Sequence, residues 1–196
     1  MNSLFENIFS QKNVVRSVLT VIAIGIVLLG AFSLANYVTT NETAQLYIAS
    51  SGYGGIFLFS ILTGLSLIPI PAVTFTPVFV AGGLTLPFII IALIAGICVA
   101  DGLGFYFGHY SKSFVLTKFP ESYRFVHNIY TKRRRLVVPL VCLYIAFVPL
   151  PNEFVLIPLG VIGIPFRSLV VPIILGNTIN QTYLALGIQN LFWWLG

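Results

Sequence analysis

The chain has 196 residues, 58% hydrophobic and only 8% charged, with a mean hydropathy of +0.99. A soluble domain is about one quarter charged, so this composition excludes a water-facing globular surface and points to an integral membrane protein. Ten basic residues against five acidic give a net charge of +5, but the basic residues follow topology and gather into no nucleic-acid footprint, so no nucleic-acid partner is expected.

The first element follows Lys12 and Arg16, where Ser17–Asn41 carries no charge. Its apolar run, Val18–Ala35, exceeds the roughly 7–15 residues of a signal-peptide core and is long enough to span a bilayer. Ser33-Leu34-Ala35 resembles a cleavage site, but the segment is read as a retained helix. Residues 1–52 are thus expected to form an N-terminal transmembrane helix and an outer loop, the loop lying within 37–52.

Two stretches then repeat one plan eighty residues apart: "IPIPAVTFTPVFVAGG" from Ile68 to Gly83 and "VPLPNEFVLIPLGVIG" from Val148 to Gly163. Each opens on Pro-x-Pro and closes on glycine within apolar surroundings. Between them, residues 111–135 hold Lys112, Lys118, Arg124, Lys132, Arg133, Arg134 and Arg135 against one acid, Glu121. The positive-inside rule makes this loop cytoplasmic and puts the amino terminus on the same side. The chain must then enter from outside near Gly54 and reach the cytoplasm near Lys112. Phe88–Tyr110 supplies one full span, whereas Gly54–Ile68 and Ala72–Gly82 are each too short at about 1.5 Å per residue. The economical solution is a re-entrant hairpin over 54–87 with Pro69 and Pro71 at its tip, followed by the spanning helix 88–110. The second half repeats this from the opposite face: hairpin 136–165 with Pro149 and Pro151 at its tip, then helix 166–190. Ordinary proline-kinked helices are the alternative. The expected fold is an all-α polytopic membrane protein with two oppositely oriented, Pro-tipped re-entrant hairpins, each followed by a transmembrane helix, plus the N-terminal helix. Residues 53–190 form the working domain. Trp193 and Trp194 suit the outer interface.

Proline-interrupted short segments at matching positions of two halves point to a transporter-type site near the midplane. Asp101 lies eleven residues before Lys112, about 16 Å along its helix from the cytoplasmic edge, and an intramembrane carboxylate is a functional candidate by default. On its helix Ala92, Gly96, Ala100, Gly104 and Gly108 recur every four residues, a small-residue stripe for close helix packing. Glu153 follows the second Pro-x-Pro in the first turn of a half-helix, with Asn152 as its expected cap. Arg167 is placed at the cytoplasmic surface, either snorkelling or gathering anionic head groups. Asn177, Asn180 and Gln181, with Tyr183, serve either interhelical hydrogen bonds or a polar path. Phe119–Tyr130 reads as an interfacial amphipathic helix, and the cluster Lys132, Arg133, Arg134 and Arg135 suits an anionic inner leaflet. Cys98 and Cys142 read as small buried hydrophobes. His109 and His127 stand alone, so neither a metal site nor a cofactor is expected.

"PIPAVTFTPVFVAGG", "ADGLGFYFGHYSKS" and "GIPFRS" together resemble the DedA/VTT-domain (SNARE-associated Golgi protein-like) family over roughly residues 54–187. In that family a Pro-rich hairpin ends at Ala-Gly, a helix carries Gly-Asp-x-x-x-Tyr-x-x-Gly, and a second hairpin precedes Pro-Phe-Arg. Asp101 and Gly108 fall at the helix motif's spacing, and Tyr106 lies one residue beyond its tyrosine position. Where many relatives have an acid after the first turn, this chain has Ala72 and Val73. Where many have arginine in the second hairpin, it has Asn152 and Glu153. The resemblance implies movement of phospholipids or polyprenyl-phosphate carriers across a bilayer.

The function expected is therefore that of a lipid transporter or scramblase of the plasma (inner) membrane, with membrane lipids as partners and homo-oligomers possible. A proton- or cation-coupled transporter of a small solute and a non-transporting assembly factor are the alternatives. No catalytic constellation is legible, so an enzyme is not expected.

Overall fold

The computed structural model describes residues 11–66, 71–148 and 150–195. All regular structure among them is helical: α1 Gln11–Thr40, α2 Glu42–Gly64, a 3₁₀ turn Ala72–Phe75, α3 Thr76–Ala81, α4 Leu86–Tyr110, α5 Lys112–Lys118, α6 Pro120–Phe147, α7 Glu153–Ile162 and α8 Arg167–Leu195. Among the described residues three helices are long and apolar enough to cross a membrane: Glu42–Gly64, Leu86–Tyr110 and Arg167–Trp194.

The expected outer loop within 37–52 is mostly helix. Only Asn41 separates α1 from α2, and its side-chain oxygen accepts the Ala44 N–H at 3.0 Å, which satisfies one of the free donors at the start of α2. Inside α2, Gly52 takes φ 55° and ψ −162° and breaks the helix. The expected basic loop 111–135 is also helical, divided between α5 and α6. Pro120 sits in the first turn of α6 and Glu121 follows it, a favoured helix start, and the Lys/Arg run beyond is made of good helix formers. The segment Leu136–Phe147 is the end of one helix that begins at Pro120.

The two repeated stretches have matching structures. Each leads from a long helix (α2, α6) through Pro-x-Pro to a short one (3₁₀–α3, α7), then past a left-handed glycine to a long one (α4, α8). The two glycines, Gly83 at φ 86° and Gly163 at φ 85°, are eighty residues apart and occupy a region closed to most side chains. Of the four tip prolines, Pro71 and Pro151 are described; Pro69 and Pro149 lie outside the described residues. α4 packs on α2 of its own half and on α7 of the other, while α8 packs on α6 of its own half and on the 3₁₀ turn and α3 of the other. Each short helix thus lies against the long helix of the opposite half.

The small-residue stripe of α4 is buried throughout, and it serves two partners. Its first part meets α2: a Cβ on Gly96 would stand 2.5 Å from the Phe57 carbonyl oxygen, and Ser60 donates to the Leu93 carbonyl at 2.9 Å. Its second part meets α7, where Gly108 lies against the Ile157 carbonyl and Gly160 in turn against the Phe105 carbonyl. Without side chains the backbones reach van der Waals contact, and this fixes Asp101 between the two contact zones.

Candidate functional site

Asp101 is fully buried on α4. Its carboxylate accepts from Asn152 Nδ2, at 3.0 Å to Oδ1 and 3.2 Å to Oδ2, and from Asn177 Nδ2 at 2.6 Å to Oδ2. Asn152 Nδ2 also lies 3.3 Å from Asn177 Oδ1, and Asn177 Nδ2 3.7 Å from Cys98 Sγ. Three helices from both halves therefore converge on one carboxylate through two amides. Buried charge requires such bonding, since an unpaired carboxylate in an apolar interior costs far more than a neutral polar group.

Asn152 occupies the N-cap position of α7, as expected, but its side chain does not cap. Its backbone carbonyl starts the helix by accepting from Leu156 N–H at 2.9 Å, and its amide turns to Asp101 instead. Glu153, the next residue, is half-buried. Its Cγ stands 3.5 Å from the place a Cβ on Gly104 would take. Gly104 follows Asp101 by one turn, so the second acid lies along the α4 face that carries the first. Tyr144 on α6 donates its hydroxyl to the Pro151 carbonyl at 3.2 Å, tying the second tip to the helix that enters it.

The remaining expected site residues lie apart from this constellation. Asn180 is half-buried and donates to the Ala146 carbonyl at 3.2 Å, with the exposed Tyr183 hydroxyl 3.4 Å from its amide. Gln181 is buried one turn beyond Asn177. Arg167 is exposed at the start of α8. Lys132 is exposed on α6, and Arg133, Arg134 and Arg135 continue the same helix.

Gln189 was not singled out by sequence reading, yet it is 6% exposed and its Oε1 has no hydrogen-bond partner among the described residues. The signal was present: Asn177, Gln181, Ala185 and Gln189 follow at four-residue spacing on α8, and all four are buried. A cavity of about 370 Å³ lies elsewhere, between α1, α2 and α3. Its walls include Ile56, Phe59, Phe75 and Phe79, and none of the expected site residues lines it.

Among the described residues no three His, Cys, Asp or Glu side chains group as metal ligands. Cys98 and Cys142 are free thiols, both half-buried. What the Asp101 constellation offers chemically is a carboxylate that can exchange its amide donors for another donor, or take up a proton or a cation. No family model, curated protein or solved structure matches the chain.

Proposed function

We propose that this protein is a membrane transporter or scramblase that moves lipid head groups across the plasma membrane, with the Asp101–Asn152–Asn177 constellation as its midplane site. The observation that carries the reading is the convergence of α4, α7 and α8 on a single buried carboxylate beside a Pro-x-Pro tip. Half-buried Glu153 beside it, and half-buried Asn180 with exposed Tyr183 further along α8, add polar groups that a head group could use.

In this reading the two Pro-tipped segments are oppositely inserted re-entrant hairpins and the amino terminus is cytoplasmic. Lys132, Arg133, Arg134 and Arg135 then face the anionic inner leaflet, where each basic residue contributes about 1 kcal/mol of attraction. The resemblance to DedA/VTT-domain proteins supports the same function. A head-group phosphate would meet the amino-terminal turn of α7, whose free N–H groups favour anions.

The complete burial of Asp101 also favours a second reading, a proton- or cation-coupled transporter of a small solute, in which the carboxylate is the coupling group. One experiment separates the two. Proteoliposomes carry a head-group-labelled fluorescent phospholipid in both leaflets and are treated with a membrane-impermeant reductant. Lipid movement predicts bleaching beyond the outer-leaflet half, with Asp101→Asn slowing it. A rate equal to that of protein-free vesicles rejects the lipid reading and leaves solute flux as the function to assay.

A further inference from the structure

Two kinds of contact hold these helices together, and they divide the molecule along a seam. The first kind brings one helix backbone against another. Gly96 on α4 meets the Phe57 carbonyl of α2, Gly108 on α4 meets the Ile157 carbonyl of α7, and Gly160 on α7 meets the Phe105 carbonyl of α4. With the Ser60 to Leu93 hydrogen bond, these clasp α2, α4 and α7 together. On the other side, a Cβ on Gly176 of α8 would stand 3.0 Å from the Cys142 carbonyl oxygen of α6. Asn180 of α8 donates to the Ala146 carbonyl of α6. The 3₁₀ turn and α3 pack chiefly on α1 and α8, where Val78 shares a cluster with Ala35, Val38 and Phe192. α1, α3, α6 and α8 thus form a second group.

The second kind of contact joins the two groups, and it is made by side chains. Phe105, Leu156 and Leu159 of the first interdigitate with Ile145, Leu169 and Ile173 of the second. The polar part includes Asn177 donating to Asp101 and accepting from Asn152, and Tyr144 of α6 donating to the Pro151 carbonyl at the second tip. Helices meeting through side chains slide by small rotamer adjustments, whereas backbones in contact have no such play. Of the six crossings between the groups among the described residues, four run through Pro71, Gly83, Pro151 and Gly163 and two through Asn41 and through Ser111 and α5, so most of the links are prolines or left-handed glycines.

We propose that α2–α4–α7 and α1–α3–α6–α8 are two rigid bodies that shear past each other, with the Asp101 carboxylate on the seam. Asp101 is held within its own body by Asn152 and across the seam by Asn177. A shear therefore opens the site by breaking the Asn177 bonds, with the Tyr144 to Pro151 bond at the second tip as the other hydrogen bond under load, and it does not require either tip to open by itself. That the seam gates transport rests on Asp101 being the transport site; the division into two bodies does not.

The test is pairwise spin-label distance measurement in lipid nanodiscs, in a Cys98→Ala, Cys142→Ala background. Labels go at exposed positions: Phe88 with Phe154 inside the first body, Leu136 with Leu191 inside the second, and Phe88 with Leu136 across the seam. The expected result is one narrow distance for each internal pair and two resolvable distances for the cross-seam pair. Asn177→Leu should shift the balance between those two. A broad or double Phe88–Phe154 distribution would overturn the proposal, because the second tip would then move relative to α4. A cross-seam pair as narrow as the internal ones, unchanged by Asn177→Leu, overturns it as well. No cargo is needed, so failure here is distinct from failure of the lipid-flux assay.

Discussion

The amide of Asn177 on α8 donates to the Asp101 carboxylate on α4 across 2.6 Å, joining two long helices that come from different halves of the chain. Removing either partner leaves the other one bond short in an apolar interior, with Asn152 as a remaining partner. Asp101→Ala leaves two amides short of an acceptor, and an unsatisfied buried group costs about 1–3 kcal/mol. Asn177→Ala should cost a similar amount, and the double variant less than the sum. A double-mutant cycle on thermal unfolding in detergent should give a coupling of about 0.5–3 kcal/mol. Strict additivity would mean that the two residues do not interact in the folded protein.

Glycines on one stripe should respond unequally. A Cβ on Gly108 has no room against the Ile157 backbone, whereas a Cβ on Gly104 meets only the Glu153 side chain at 3.5 Å, an ordinary contact. Gly108→Ala should therefore destabilise by about 1–3 kcal/mol, the usual range for overpacking, while Gly104→Ala stays near wild type. Gly104→Leu, with three more carbons directed at Glu153, should behave like Gly108→Ala. Equal tolerance of alanine at both positions, read from melting temperatures, would show that α4 and α7 are not in backbone contact.

At the left-handed turns the cost is conformational. A Cβ on Gly83 has nothing within 4 Å, yet φ there is 86°. Gly83→Val should lose about 1–2 kcal/mol from backbone strain alone, and Gly83→Asn should lose less, since asparagine tolerates that region. Comparing the two by thermal stability separates strain from packing.

Proton uptake should act through the same constellation as flux. Asn152 and Asn177 both present N–H groups to Asp101, so a proton arriving on the carboxyl weakens it as an acceptor for these donors. The other titratable groups close by are Glu153, Cys98 and Tyr144. Lipid or solute flux in proteoliposomes should vary across mildly acidic to mildly basic pH in wild type. Asp101→Asn, which cannot change protonation, should flatten that profile, and Glu153→Gln should alter it less. An unchanged profile in a folded Asp101→Asn variant would make the carboxylate a structural tie.

Topology has a direct check. Single cysteines at Asn41 and Ser122, in the background lacking Cys98 and Cys142, should react with an impermeant thiol reagent from opposite faces of the membrane. Reaction of both from one face rejects the oppositely inserted hairpins.

Much of this architecture was legible because its signals are local. Phe88–Tyr110 was expected as one helix and Leu86–Tyr110 is found, since a long apolar run broken by no proline, with Asp101 as its one acid, leaves little choice. The Pro-x-Pro repeat announced the doubled plan, with Gly83 and Gly163 as its shared punctuation. The helix through 42–52 and the continuation of the Phe119–Tyr130 helix through the basic run were less legible, for opposite reasons. In the first, Ser50, Ser51 and Gly52 resemble a loop, and Gly52 does break the helix without ending it. In the second, the expected helix over Phe119–Tyr130 runs on through Lys132–Arg135 into Leu136–Phe147, because lysine and arginine favour helices and nothing there stops one. Asn152 and Asn177 stand out in the sequence as candidate site residues, but their pairing with Asp101 is not legible there. Asn152 is fifty-one residues away and Asn177 seventy-six, and only the fold brings them together. Asn152 looked like a cap because nothing in the local sequence shows what else its amide can reach.

Because each short helix rests against the long helix of the other half, neither half can be finished by itself. During synthesis the 3₁₀ turn and α3 emerge more than eighty residues before the α8 surface that covers them. The early part of the chain must wait in the membrane, with buried residues such as Val73 and Thr76 still uncovered, until the last helix is inserted. A ribosome that stalls before α8 leaves a protein that is inserted but not folded, a natural substrate for membrane proteases. The same dependence means that two separately made halves, divided near Phe119, each carry what the other lacks and can assemble only as a pair.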